Sequence, residues 1–592
     1  MSISDNIGVD DAPGRRPGLG ALALATVLAL AVLAPGARAP FSRDDLLAVV
    51  EIQDIAIRGH WLVNHDQYPE LFNVMARDQF GPINRKPPLF YWLSAIAVDI
   101  AGGQVDTVTT RIVPIAAAVV VALITLTWSS IWIGSAAGWI AFLFVLGSYA
   151  FAARATIVLV DMTMTALLFG AWCLIYPILE RREVSTARVL KIGALLGLAV
   201  LTKGPVTIVL CAIGAIIYLA SVRRNPIVLL GRGWPWIVLA IAGAIAAAWF
   251  VPALMVVGRD LGRVMIDENV GHLMPASMGG IGEAERPPWF IAGHLIGGMV
   301  PLSLMIPAAI LALSGYGFDH RSLHPTRFQA AMVIAVLVLF SLGTSKRSDY
   351  ILPAVPPLAI IYAALFTSLD GSIALSRLTI RLRNAAVAII SVGALALIGG
   401  VLIAAHRVEL SKPIAAAFNN YEQVYIRWYI EQASGPHLIF STLLVLCAGG
   451  AVGALVGLYH DKSQVSGFGV AIVALALITL WTAEVTPMRL DSESLAPFAL
   501  EVGRITDGAD LYLMRGYYDR EIAFDLGRFI PYVDKRTRAD LATGRPVYVV
   551  TMPADAARLA AALNANLTEV AQANPVVGHQ PPALFRLEPA AR

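Results

Sequence analysis

The sequence predicts a polytopic α-helical membrane protein of about 13 spans that ends in a small α/β domain, and three observations carry that expectation. The 592-residue chain is 57% hydrophobic and only 14% charged, with a mean hydropathy of +0.69, whereas soluble domains carry roughly 25% charged residues. Apolar runs recur along it, most of them near the roughly 20 residues that a bilayer crossing needs. Beyond about Val485 those runs stop and short alternating segments begin. The formal net charge of +3 is too small to point to nucleic acid as a partner.

Taken in order, the candidate spans are Leu19–Ala37, Ile112–Ile133, Gly138–Ala152, Met162–Leu179, the short Ile192–Leu201, Val206–Ala220, Trp236–Val257, Trp289–Leu313, Ala330–Leu342, Ile351–Leu369, Ala385–Ala405, Leu438–Tyr459 and Gly467–Ala483. The first follows Arg15 and Arg16 and ends in "ARAP". That pattern fits a cleaved signal peptide, but the many spans behind it favour a retained signal anchor. Cys173, Cys211 and Cys447 lie inside apolar runs with no paired spacing and read as small buried hydrophobes.

Basic residues in the short loops set the orientation. With Arg15 and Arg16 cytoplasmic, "LERREV", "SVRRNP", "DHRSLHPTR", "SRLTIRLRN" and "YHDKSQ" all fall inside, provided that Pro88–Ala101 does not cross. That segment is short, aromatic and broken by Asp99, and so reads as an amphipathic helix lying on the membrane surface. The outer face then collects Pro40–Thr110, Phe151–Asp161, the "TKGP" turn, Gly258–Pro288, Ser345–Tyr350, Arg407–Pro436 and the tail. The domains expected are a transmembrane domain over 1–485, with its first outer loop at 40–110, and an extracytoplasmic domain over 486–592.

In the first outer loop, Leu46, Leu47, Val50, Ile52, Ile55 and Ile57 recur at helical spacing, and Ser42 with Asp45 three residues on reads as a capping box. Asp44 and Asp45 therefore suit a helix N-terminus, where carboxylates stabilise by about 0.3–1 kcal/mol each. In the tail, "LYLMRG", "FIPYVD", "PVYVVTM" and "ALFRLE" read as strands and "ADAARLAAALNAN" as a helix between two of them. No internal repeat or low-complexity linker interrupts the chain.

An acidic pair opening the first outer helix, a "GHW" similar to "GDW", and "KPPLFYW" together resemble the GT-C polyprenyl-phosphate-dependent glycosyltransferases, of which the aminoarabinose transferase and protein mannosyltransferase-like group is the nearest branch. "RATIVLVDM", "LTKGP", "ENVGHL" before "PPWF", and "SKRSDYILPAVPPLAII" continue the resemblance from about Phe41 to Pro357. The resemblance implies a GT-C fold in the bacterial inner membrane with a periplasmic site. It also implies sugar transfer from a polyprenyl phosphate, undecaprenyl phosphate for example, to a cell-envelope acceptor: lipid A or another lipid, a polysaccharide or a protein. Asp44 takes the place of the base or acceptor-orienting carboxylate and Asp161 that of a second acid. Lys86, Lys203 and Tyr350 take the donor-phosphate contacts. Asp45, Arg85, Arg154, Lys346, Arg347 and His272 are further candidates for substrate contacts.

That residue set suits the chemistry. An acceptor hydroxyl needs a carboxylate for its proton, and a departing phosphate needs cations or a metal. Taken singly, ionisable groups at span ends are often interfacial anchors, but the orientation above gathers Asp44, Lys86, Asp161, Lys203 and Tyr350 at one face. Arg85 stands where the aminoarabinose branch often has a metal-holding Glu, so a divalent metal is an open expectation and no other cofactor is implied. His60, His65 and His294 have no ligand-like spacing with His272. A monomer is expected. A lipid-linked-sugar transporter or flippase, or a non-catalytic envelope assembly protein, would also be polytopic. A transporter would more often show two related halves with charges near the midplane, and an assembly protein leaves the acids and lysines unexplained.

Overall fold

The structure is a computed structural model. It describes residues 15–63, 86–181, 183–270, 286–314, 324–367, 375–406, 438–514 and most of 516–589. It divides into two compact units: residues 1–37, 85–90 and 111–485 form the first, and residues 38–84, 91–110 and 486–592 the second.

The first unit is helical throughout. Every predicted span carries helix: Leu19–Leu33, Ile112–Trp132, the pair Ser135–Leu146 and Tyr149–Ala155, Val160–Arg181, Thr186–Lys203, Val206–Ser221, Gly233–Val257, the pair Phe290–Gly298 and Ile306–Ser314, His324–Leu342, Ser348–Ala364, Arg377–His406, Leu438–Tyr459 and Ser463–Leu480. The chain is therefore a multi-pass membrane protein. Among the described residues eight helices are long and apolar enough to cross by themselves, or up to ten if each bent pair is one span; the count of about 13 stands as an expectation. Val206–Ser221 and Ser348–Ala364 are too short to qualify. Thr186–Lys203 carries Arg188, Lys191 and Lys203 within its 18 residues.

Close helix contacts follow from small residues, since between lipid-facing helices packing replaces the hydrophobic drive. A Cβ built on Gly469 would lie 2.5 Å from the Ala454 amide nitrogen and 2.6 Å from the Gly450 carbonyl, so Leu438–Tyr459 and Ser463–Leu480 touch backbone to backbone. Gly193 and Gly197 admit Ile241 and Ile245 in the same way. The Asp161 helix, Val160–Arg181, is the most enclosed of the crossing candidates. Its Trp172 ring stacks on Phe328 at 3.9 Å. Its far end is tied by Glu180, whose carboxylate accepts from Tyr218 Oη at 2.5 Å, pairs with His324 Nδ1 at 2.7 Å and lies 3.5 Å from Arg224 Nη1. The buried Arg111 donates to the Ala37 carbonyl at 3.1 Å just past the first helix, a favourable place for a cation.

The second unit holds a four-stranded sheet of β1 (Asp510–Leu513), β2 (Val547–Thr551), β3 (Ala565–Gln572) and β4 (Ala583–Pro589), in the order β1-β2-β4-β3. β1 and β2 are parallel, and β4 runs antiparallel to both β2 and β3. Two tail expectations are corrected here. The helix Pro553–Leu563 ends at Asn564, which adopts the left-handed conformation (φ 52°, ψ 52°), and β3 begins at once, a strand the sequence reading missed. Among its described residues, "FIPYVD" contributes a single bridge, Tyr532 to Leu513. The predicted helix of the first loop is present as Arg43–Arg58, and it packs within this unit on Asp519–Asp525, with Phe41 and Phe524 edge to face at 5.2 Å. Leu89–Ile100 is the helix expected after the double proline. The three cysteines are free and buried, as expected from their apolar surroundings.

Candidate functional site

The first unit brings four of the expected residues together. Asp161 lies in the first turn of its helix, where the N-terminal dipole favours a carboxylate. Lys203 is the last residue of Thr186–Lys203, the end that favours a cation. Gly204 follows at φ 87°, ψ −172°, a conformation open to glycine and costly for other residues, and lets the chain turn into Val206–Ser221. "LTKGP" is thus a helix end, a sharp turn and a helix start. It aims the Lys203 ammonium at the Asp161 carboxylate, and the two form an ion pair with each side chain 8% exposed. The same ammonium sits 4.6 Å from the centre of the Tyr350 ring. Tyr350 in turn packs on Phe340 at 4.7 Å. Tyr350 therefore meets Lys203 through its π face, an attraction of roughly 0.5–2 kcal/mol.

Lys86 joins this group. Its ammonium pairs with Glu268, a buried acid on the helix Arg259–Val270, while Lys86 and Arg347 are also close enough for their charges to act on Asp161. Next to Tyr350, Asp349 sits between two guanidiniums: Arg154 Nε is 2.9 Å from one oxygen and Arg347 Nε 3.2 Å from the other. Arg154 Nη2 also donates to Ser348 Oγ at 2.7 Å. Lys346 is buried and donates to the carbonyls of Arg286, at 2.8 Å, and Gly343. Through these two bonds Lys346 ties the segment around Arg286 to the end of His324–Leu342.

Beside Arg154 and Asp349 opens a cleft of about 620 Å³, with Tyr149, Trp289, Phe290 and His294 on its wall. His294 turns back onto its own helix. Its Nδ1 lies 2.9 Å from the Phe290 carbonyl and its ring lies 3.9 Å from the Phe290 ring.

The two first-loop acids belong to the second unit. Asp45 is fully buried and closes the capping box, its Oδ2 accepting from the Ser42 amide and hydroxyl, both at 2.7 Å. That oxygen is engaged at the helix end. Asp44, one residue earlier in the same turn, is half-buried. In the same helix Asp54 holds His60, whose Nδ1 is 3.0 Å from both carboxylate oxygens. Arg85 and His272 lie outside the described residues.

Over residues 85–255 the sequence matches the family described as dolichyl-phosphate-mannose-protein mannosyltransferase. It is 26% identical over 216 residues to the undecaprenyl phosphate-alpha-4-amino-4-deoxy-L-arabinose arabinosyl transferase of Pectobacterium atrosepticum, covering 36% of each chain. A transferase of the same description from Pectobacterium carotovorum subsp. carotovorum is 25% identical over 220 residues. The match thus spans about a third of these curated relatives. In structure the chain is similar to ArnT from Cupriavidus metallidurans bound to undecaprenyl phosphate, with a TM-score of 0.70 at 17% identity, covering 96% of this chain and 98% of that one. The apo form of that protein aligns with a TM-score of 0.68. The chain has the GT-C fold.

Within this GT-C fold, the sequence motifs left two acids of the cluster unassigned. Asp349 had a local signal, since it follows Lys346 and Arg347 inside "SKRSDYILP". Glu268 had none for its pairing, because 182 residues separate it from Lys86. Among the described residues no three His, Cys, Asp or Glu side chains converge to hold a metal ion. Arg85 offers no lone pair at the position before Lys86. No step below is routed through a metal.

Proposed function

We propose that this GT-C chain is an inner-membrane glycosyltransferase that takes a sugar from a polyprenyl phosphate and passes it to a cell-envelope acceptor on the periplasmic face. The observation that carries the reading is the convergence of Lys86, Asp161, Lys203 and Tyr350 at helix ends of one unit. In the reaction, the bond between the anomeric carbon and the carrier phosphate breaks, a bond to the acceptor oxygen forms, and the phosphate leaves on its lipid. Lys86 and Lys203 stabilise the charge that develops on the leaving phosphate. Asp161 and the Tyr350 ring fix where the Lys203 ammonium sits. Asp44 takes the proton of an acceptor hydroxyl; where the acceptor is itself a phosphate, as on lipid A, little base is needed and Asp44 orients it. Residues 1–485 form the transferase domain in this reading, and 486–592 a periplasmic domain that helps to select the acceptor.

The names of the curated relatives suggest the first donor to try, undecaprenyl phosphate-4-amino-4-deoxy-L-arabinose. The test is transfer of radiolabelled sugar by the purified protein in proteoliposomes containing lipid A, beside Asp44→Asn and Lys86→Ala. Transfer in the wild type that drops at least about 100-fold in Lys86→Ala, with both variants still folded, supports the reading. Movement of the intact donor across the bilayer, with no sugar transferred, would make the protein a flippase.

A further inference from the structure

Lys86 is the more accessible of the two central lysines, its side chain 29% exposed against 8% for Lys203. An incoming phosphate therefore meets Lys86 first, and it meets it already paired with Glu268. Pro87 and Pro88 are buried, which fixes the backbone behind the lysine. Glu268 belongs to a separate helix, Arg259–Val270, which is anchored by the buried Leu261 and Met265. The other two acids of the cluster pair with other cations: Asp161 with Lys203, and Asp349 with Arg154 and Arg347.

The proposed reaction gives this arrangement a use. A sugar carrier is a phosphodiester with one negative charge, whereas the carrier released after transfer is a monoester with nearly two at neutral pH. A purely cationic site would hold that product more tightly than the donor.

We propose that Glu268 is an internal counter-ion that competes with lipid phosphate for Lys86 and returns to the lysine to release the spent carrier. This rests on the transferase reading and adds a positioning residue to it. If Glu268 holds Lys86 for all but about a tenth of the time, apparent affinity for the carrier is lowered about tenfold.

The experiment measures binding of undecaprenyl phosphate to the full chain in nanodiscs for wild type, Glu268→Gln, Glu268→Asp, Lys86→Ala and Lys86→Ala/Glu268→Gln, with size-exclusion profiles as the check on folding. Glu268→Gln should bind about tenfold more tightly and show a slower steady-state turnover with an unchanged single-turnover rate. Glu268→Asp should resemble wild type, and the double variant should bind no better than Lys86→Ala, because the acid acts only through the lysine. Weaker or unchanged binding in Glu268→Gln, or tightening that persists without Lys86, would overturn the inference alone. Failure of wild type and Glu268→Gln alike to bind the carrier would overturn the transferase reading with it.

Discussion

The Asp161–Lys203 pair makes a quantitative test of the site that does not depend on activity. Both side chains are 8% exposed. Removing one partner of such a pair strands a charge and typically costs about 3–5 kcal/mol. In Asp161→Asn the stranded ammonium keeps the Tyr350 ring at 4.6 Å, a contact the wild type already has, so the loss stays at about 3–5 kcal/mol. In Lys203→Met the stranded carboxylate keeps the helix N-terminus and the fields of Lys86 and Arg347, so its loss should fall in a similar range. The informative variant is the double one. With both charges replaced at once nothing is stranded, and neutral groups in place of a buried pair are often close to neutral in stability. Asp161→Asn/Lys203→Met should therefore be more stable than either single variant, a coupling of at least about 2 kcal/mol. Unfolding in detergent followed by tryptophan fluorescence gives the three values. A double variant whose loss is the sum of the two single losses would refute the coupling, and with it the claim that the pair is held out of water.

Three further outcomes follow from other parts of the molecule. Ser42→Ala removes the hydroxyl of the capping box, and unfolding of the second unit should show a loss of about 1 kcal/mol, which Ser42→Thr, keeping the hydroxyl that donates to Asp45, should largely restore. Burial, followed by the nearby Glu521 carboxylate, pushes Asp525 up to about 7. An unfolded Asp titrates near ~3.9, so between roughly pH 4 and 7 the folded state keeps a proton that the unfolded state has lost, and stability falls as pH rises through that window. Asp525→Asn should flatten this dependence and stabilise the chain at pH 8; thermal melts of both proteins at pH 5 and 8 that change in parallel would count against it. Gly469→Leu should separate Leu438–Tyr459 from Ser463–Leu480, since even a Cβ meets backbone at 2.5 Å; unchanged size-exclusion behaviour and melting would show that the contact is not needed.

Much of the fold was legible because it depends on local signals. Apolar runs located the helices, and Ser42 with Asp45 located the start of Arg43–Arg58 down to its cap. What was not legible depends on pairing across the chain or on length. The exact count of crossings was not legible where helices are short or bent, because composition cannot distinguish a full crossing from a half one. The strand β3 was hidden by the alanine-rich helix before it, although Asn564 marks the change and Asn is a known left-handed terminator. For the site, motifs supplied Lys86, Asp161, Lys203 and Tyr350. They gave no indication that Glu268 would face Lys86, because a pairing across 182 residues does not follow from residue type and spacing.

The Asp161 helix is pinned at both ends, by Lys203 at one and by the Glu180 group with Tyr218, His324 and Arg224 at the other. From residue 161 to residue 180 an α-helix rises about 29 Å, close to the roughly 30 Å of a hydrocarbon core. The helix is in effect a ruler standing in the bilayer, with a polar stop at each mark. A lipid of the wrong thickness must either bury one of those stops or tilt the rod. Either change alters the depth at which the Lys203 ammonium stands, so the surrounding membrane takes part in setting the height of that end of the helix.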